Sequence, residues 1–316
     1  MPTRETHATH AIALKTLRRD GRIALDQWPN ASITPQALGL DVDTDNAYVP
    51  ADVQLHDAVY LQGRITALQP TAVLKLYDVI GSTNTAMMQL ARQQSVTNCV
   101  LLAEYQSAGK GRRGKVWVGD FARNIAMTVG YDFRCGLNEL GGLSCVVGLA
   151  MVQLLEQNGI RAQIKWPNDV WVDEQKLVGI LVELLPAREG VTAIVGVGLN
   201  VDLSIAQQQA IDQAVTSVRE LGVATSRDDL VIGMFQCIMQ SFELFARQGF
   251  APFVSAFNAA HRLHDQPALV QVGGTIREGL VRGVDRNGAL LFEEAGHIVP
   301  LSGGEVSLRP SKLTKS

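Results

Sequence analysis

The chain has 316 residues, 47% of them hydrophobic, with 31 acidic against 28 basic side chains and a net charge of −3. That length and apolar content give room for two domains with buried cores, and the slightly acidic balance excludes a generally basic nucleic-acid surface, so any affinity for a polyanion has to come from a local patch. The longest apolar stretch, Leu143 to Leu155, is interrupted by Gly148 and Gln153 and falls short of the roughly 20 residues of a spanning helix; with no secretion signal at the N-terminus and four cysteines that show neither metal spacing nor disulfide density, the expectation is a reduced, cytoplasmic protein without a membrane segment.

Residues 1–70 carry no strong pattern. "IALKTLRRDGRIAL" reads as a short helix and a strand, and "QWPNASITPQALGLDVDTDNAYVP" is punctuated by Pro, Asn and Asp. From Val73 the texture changes: "AVLKLYDVI" reads as a strand and "STNTAMMQLARQQ" as a helix capped by Ser82 or Thr83. The apolar run Cys99–Ala103 is a further strand. Behind it stands "GKGRRG", residues 109–114, which fits the G-x-G-x-x-G fingerprint letter for letter. A dinucleotide turn needs a helix next, and "KVWVG" has no helical period, while Lys110, Arg112 and Arg113 place three long cations where such a turn has small residues. The segment is expected to be a mobile cationic loop that folds over an anionic ligand. "NIAMTVGYDF" is strand-like, and Leu143, Val146, Val147, Ala150, Met151, Leu154 and Leu155 recur at helical spacing. "AQIKWPNDVWVDEQKLVGILVELL" and "TAIVGVGLNVDL" supply three strands. A helix over about Asp229–Gln248 turns Met234, Phe235, Ile238, Phe242 and Phe245 inward, and residues 267–309 read as a small all-β module with Gly-Gly, Asn-Gly and Ala-Gly turns.

Several residues could carry chemistry. Lys176 opens a strand that is apolar on both faces, so it is either a solvated lysine in a hairpin or a point charge meeting a phosphate at the edge of a buried site. Gly179, read onto the same face, marks either a bulge or the close approach of a ligand. Asn168-Asp169 after Pro167 is a turn, or a site rim at which Asp169 accepts a proton from an incoming amine or holds a metal. "GSTN", residues 81–84, is a helix cap whose hydroxyls and amide also suit a carbonyl or urea. Asn200 ends "VGVGLN", a wall for a flat ligand or plain sheet packing. His261 and His264 lack a third ligand nearby in sequence and are expected at the surface; no metal site is expected.

"GSTN", "AEYQSAGKGRRGKVW", "KWPND" with "KLVGILVEL", "VGVGLNV" and the terminal "VRGVDRNGALLFEEAGHIVPLSGGEVSLR" occur in the order and spacing of biotin–protein ligases. The resemblance runs from about Val73 to Arg309. It implies an α+β fold: a mixed β-sheet with packed helices, like a class II synthetase and related to lipoate ligases, over residues 71–264, then a small SH3-like β-barrel over 265–316, preceded by a divergent segment 1–70. It also implies a chemistry, in which the biotin carboxylate attacks the α-phosphate of ATP, normally with Mg²⁺ bridging phosphates, and the biotinyl-adenylate then acylates one lysine of the biotin carboxyl carrier protein of acetyl-CoA carboxylase. The resemblance places Lys176, Arg112 and Asp169 in catalytic positions. Ser82, Thr83, Asn84, Gln106, Gly109, Lys110, Gly111 and Gly179 fall, with Arg112 and Lys176, on biotin contacts. Arg113, Trp117, Asn168, Asn200, Glu305 and Arg309 fall on the nucleotide side.

Departures from the family's pattern are also visible. Lys110 stands where bacterial members often have arginine, Val215 stands near where some place an aromatic over adenine, and no helix-turn-helix with a basic recognition helix is evident in residues 1–70. DNA binding is therefore doubtful, a homodimer is allowed, and the rival readings are a biotin-dependent DNA-binding repressor with ligase activity and a lipoate or octanoate ligase.

Overall fold

The computed structural model describes residues 4–29, 34–272, 274–302 and 306–310. The first helix, α1 (Arg4–Asp20), buries Ala13, Leu14 and Leu17 and is stopped by Gly21, whose φ of 69° suits a left-handed cap. It is followed by a three-stranded antiparallel sheet in which β3 (Asn46–Tyr48) lies between β1 (Arg22–Ala24) and β2 (Asp41–Val42). Among the described residues up to 50, α1 is the single α-helix, and it is longer than the short one expected because its first residues, "RETHATH", carry no apolar period.

Seven strands form the central sheet in the order β4 (Val73–Ile80), β5 (Cys99–Gln106), β6 (Ile125–Phe133), β10 (Gly190–Leu199), β9 (Gln175–Ala187), β8 (Asp169–Val172) and β7 (Gln163–Lys165). Only β4 and β5 pair in parallel; the other pairings are antiparallel, so the sheet is mixed. Alternation decides what covers it. Val100 and Leu102 of β5 and Ala193 and Val195 of β10 face the large core beneath α4 (Leu143–Gln157) and α6 (Arg227–Gln248), while Leu101 and Ile194 face α3 (Thr83–Ala91) across Met87 and Val96. The two long helices bury their apolar sides in this core, where Phe242 and Phe245 meet Phe133 edge-on with centroids 5.5 and 5.8 Å apart. The core also takes in Leu61 and Ile65 of α2 (Ala58–Leu68), a helix capped by Asp57, whose side chain accepts from Val59 and Tyr60 N–H.

The C-terminal unit is a five-stranded antiparallel sheet ordered β14 (His297–Leu301), β13 (Leu290–Glu294), β12 (Thr275–Val284), β11 (Pro267–Val272) and β15 (Val306–Pro310), an arrangement that fits a small SH3-like barrel. Trp166 Nε1 donates to Gly288 O at 3.3 Å, tying it to the central sheet.

The join to the N-terminal segment is electrostatic as well as apolar. Glu104, 2% exposed on β5, accepts from Arg18 of α1 at 2.7 Å and from Arg227 of α6 at 2.9 Å, so one buried carboxylate is shared by two guanidinium groups. The apolar cluster of Leu14, Leu17, Ile23, Leu38, Leu40 and Ala47 also includes Phe121 and Ala122, just behind the cationic loop.

His261 corrects the expectation of surface histidines. It is 4% exposed, follows α7 (Val254–Ala260), stacks on Phe257 at 5.3 Å and bridges to Ile164, with neither ring nitrogen partnered among the described residues. Burial, with His264 adding to it, pushes its pKa down to about 3 from 6.5. The folded state therefore binds its proton less readily than the unfolded chain does. The stability this contributes is present above pH 6.5 and is lost as pH falls toward 3, by up to about 1.4 kcal/mol per pH unit. Denaturant midpoints at pH 7 and pH 5 should lie closer together for His261→Gln than for the wild type; an unchanged gap would mean another group dominates acid unfolding.

Candidate functional site

A cavity of about 770 Å³ opens on the sheet between the cationic loop, the start of β8, β9, β10 and the C-terminal sheet. Its lining includes Ser82, Thr83, Asn84, Gln106, Lys110, Gly111, Arg112, Arg113, Trp117, Asn168, Asp169, Lys176, Gly179 and Asn200, residues that the sequence scatters over more than a hundred positions. Gly109 is not in the lining. Gln271 and Leu308 reach it from the C-terminal sheet. Glu305 lies outside the described residues, and Arg309 is on β15, its backbone opposite Leu269.

The cationic end is built by "KWPND". Lys176 Nζ lies 2.8 Å from Asp169 Oδ1, an ion pair rather than an aligned hydrogen bond, with the two side chains 15% and 20% exposed. Arg112 Nη1 donates to Asn168 Oδ1 at 2.9 Å, and Asn168 Nδ2 donates to Ile180 O at 2.9 Å, so the asparagine is braced against β9 while it holds the loop. Burial lowers the pKa of the Arg112 guanidinium, with Asp169 opposing the shift. Asn200 Nδ2 donates to Thr216 O at 3.2 Å and reaches Lys176 O at 3.4 Å, bracing the backbone beneath the lysine.

Lys176 and Gly179 are three residues apart, which in a regular strand would put them on opposite faces. The register between β8 and β9 shifts between Val170 and Trp171, and the irregularity brings them together: a Cβ on Gly179 would stand 3.3 Å from Lys176 Nζ. The same Cβ would meet the Trp117 ring at 2.9 Å, and one on Gly198 would meet it at 2.4 Å. The space left by these glycines is thus filled by the indole, which packs against β9 and β10.

The loop is an ordered hairpin here. Trp117 N donates to Gly109 O at 3.0 Å, Lys110 bridges to Val116, and Gly111 N donates to Lys115 O at 2.8 Å, with Arg113 and Gly114 turning at φ 57° and 75°. Gly109 is required by contact, since a Cβ there would sit 2.4 Å from Trp117 O. No helix of the kind a dinucleotide turn needs follows; Arg112–Gly114 form one tight turn whose middle residue, Arg113, is left-handed.

The opposite end is a cluster of neutral hydrogen-bonding groups. Ser82 is the N-cap of α3, its hydroxyl accepting from Thr85 N–H. Gln106 Oε1 takes the Thr83 N–H at 2.8 Å and stands 3.0 Å from Thr83 Oγ1, leaving Nε2 as the end available to a ligand. Asn84 is committed to the protein: Nδ2 donates to Glu183 Oε2 at 3.0 Å and to Leu181 O at 3.3 Å, and Oδ1 accepts from Thr128 at 2.7 Å. Neither Thr128 nor Glu183 stands out in the sequence, where one is a β-former in a strand and the other a charged strand residue.

Residues 76–200 match the biotin/lipoate A/B protein ligase family and residues 266–309 match the biotin protein ligase C-terminal domain. The chain is 32% identical over 267 residues to the bifunctional ligase/repressor BirA of Escherichia coli, covering 84% of this chain and 81% of that protein. It is 33% identical over 219 residues to the biotin–acetyl-CoA-carboxylase ligase of Paracoccus denitrificans, covering 67% of this chain and 90% of that one. The fold is shared with the biotin protein ligase of Aquifex aeolicus, solved in complex with biotin and ATP, at a TM-score of 0.64 and 24% identity over 75% of this chain and 99% of that one. With its cavity walled by the segments that carry the family's pattern, and with a relative this similar over most of both lengths, the chain belongs to the biotin–protein ligase family.

Proposed function

We propose that the protein activates biotin with ATP as biotinyl-5′-AMP and transfers the biotinyl group to a lysine of a biotin carboxyl carrier protein. One observation carries this reading: a single cavity has a neutral head-group end, at Thr83 and Gln106, and a cationic end, at Lys176 and Arg112. A ligand spanning the two has a polar, uncharged head and an anionic tail, as biotin does.

Lys176 and Arg112 would lie where the carboxylate and the α-phosphate, both anions, must approach, and their charge stabilises what accumulates there in the transition state. Asp169 and Asn168 hold those two cations in place. In the transfer step the carrier amine must lose a proton, and Asp169 is a carboxylate within the cavity lining that can take it. Mg²⁺ would arrive on the nucleotide: among the described residues no cluster of three His, Cys, Asp or Glu forms a cage, and this ion usually takes one or two carboxylates plus phosphates. It would neutralise phosphate charge, with Asp169 the carboxylate at hand.

The repressor activity in the relatives' names is not part of this proposal, which rests on the cavity alone. The test is mass spectrometry of a carrier domain incubated with the protein, ATP, Mg²⁺ and biotin or lipoate. The expected result is one added biotinyl mass; a lipoyl mass instead, or no modification and no pyrophosphate, would sink the proposal.

A further inference from the structure

The head-group end of the cavity is one hydrogen short. Gln106 Oε1, Thr83 Oγ1, Thr128 Oγ1 and Asn84 Oδ1 form a row of oxygens with successive separations of 3.0, 2.8 and 2.7 Å. Chemistry fixes the amides at both ends of the row. The Thr83 N–H can meet only the oxygen of Gln106, and the Glu183 carboxylate and Leu181 carbonyl can meet only the nitrogen of Asn84, so both amides turn their oxygens into the row. Two hydroxyls then supply two hydrogens for three contacts.

Which contact goes without is decided from the Glu183 end. Asn84 Oδ1 has no other donor among the described residues, so Thr128, 0% exposed, gives it its hydrogen; otherwise two lone pairs would face each other at the shortest separation of the row. Thr83 must then donate to Thr128. The contact left without a hydrogen is the longest, between Thr83 Oγ1 and Gln106 Oε1, and both of those residues line the cavity. Thr128 and Glu183 are not in the lining. Gly196 belongs to the same device, since a Cβ there would stand 2.1 Å from Asn84 Oδ1.

We propose that Glu183 is a positioning residue for head-group selection: through Asn84 and Thr128 its carboxylate orients the Thr83 hydroxyl as an acceptor, so that the cavity demands an N–H from its ligand. Gln106 Nε2 offers a donor beside that demand, and the matching group is an H–N–C=O edge such as a cyclic urea presents. A dithiolane ring has neither half of it. The inference rests on the biotin reading above and adds how the head group is told from others of its shape.

The experiment uses the full chain and three ligands: biotin and its two cyclic-carbamate analogues, in which one ureido N–H or the other is replaced by a ring oxygen. Adenylate formation is followed by pyrophosphate release. For the wild type, one carbamate should be weaker than biotin by about 100-fold or more in kcat/KM, because its ring oxygen would face two acceptors. In Thr128→Val, isosteric but without a hydroxyl, Thr83 is free to turn its hydrogen toward the ligand. Its KM for biotin should rise by about tenfold while kcat and the KM for ATP stay within about threefold, and the gap between biotin and that carbamate should shrink to about tenfold or less. Glu183→Ala should move the same way, and Glu183→Gln, whose amide oxygen can accept the same bond, should keep the wild-type ratio. A purely structural role would weaken all three ligands in proportion. If the wild type activates biotin but the ratios in Thr128→Val and Glu183→Ala equal its own, the inference fails; if the wild type does not activate biotin, the proposed function fails instead.

Discussion

Replacing Lys176 by alanine is expected to lower the rate of pyrophosphate release from biotin and ATP by roughly 10²–10³, the usual effect of losing one group that stabilises developing charge. Transfer of biotin to the carrier from preformed adenylate should fall far less, because the step that brings two anions together has already passed. The geometry adds a second cost. Lys176 is paired with Asp169 at 2.8 Å, so its removal leaves a carboxylate facing the position proposed for the phosphates, and like charges repel there. Lys176→Ala combined with Asp169→Asn should therefore form adenylate faster than Lys176→Ala alone, a non-additivity expected of residues in contact. Single-turnover pyrophosphate release at saturating biotin and ATP measures both effects. Unchanged release in Lys176→Ala would remove the lysine from the first step.

The central sheet was readable in the sequence because its strands are apolar in runs and its two long helices bury residues at helical spacing. Val100 to Ala103 and Ala193 to Val195 are buried on consecutive positions, which only a strand covered on both faces requires. α2 was not readable: it presents only Leu61 and Ile65 to the core, with Gly63 between them, too little period to rise above the surrounding turn formers. The link between α1 and the sheet escaped for a different reason. Arg18, Glu104 and Arg227 are charged residues far apart in sequence, and charged residues read as surface until a fold shows that each neutralises another.

At the site, residue types were legible and relations were not. Gly179 does share the side of Lys176, as read from the sequence, but through a β-bulge and not through the period-2 alternation of a regular strand, and the glycines at 179 and 198 serve the indole of Trp117 as much as any ligand. Asn84 lines the cavity, as expected of a biotin contact, but its amide is also bonded to Glu183, Leu181 and Thr128, a set of partners that no sequence pattern announces. A sequence names the donors and acceptors; only the three-dimensional arrangement counts how many hydrogens each contact has left.

Arg112→Gly should release adenylate into solution. In the present structure the Arg112 side chain ties the hairpin turn to Asn168, and Asn168 is itself braced on Ile180 of the sheet. With the side chain gone, the hairpin keeps its own backbone bonds at Gly111–Lys115 and Gly109–Trp117 but loses that tie to "KWPND". Biotinyl-adenylate is a mixed anhydride that water and amines attack, so a loop that stays closed over it both lengthens its life and withholds it from chance lysines. The variant should still form adenylate, because Lys176 remains, and it should biotinylate an unrelated lysine-rich protein such as albumin several-fold faster than wild type at equal adenylate production. Asn168→Ala, which removes the other half of the tie and leaves the cation, should leak in the same direction. Comparing the two separates closure from charge: leakage from both means the Arg112–Asn168 contact holds the loop shut, leakage from Arg112→Gly alone means the guanidinium acts on the adenylate directly, and leakage from neither would make the cationic hairpin a surface for docking the carrier rather than a lid.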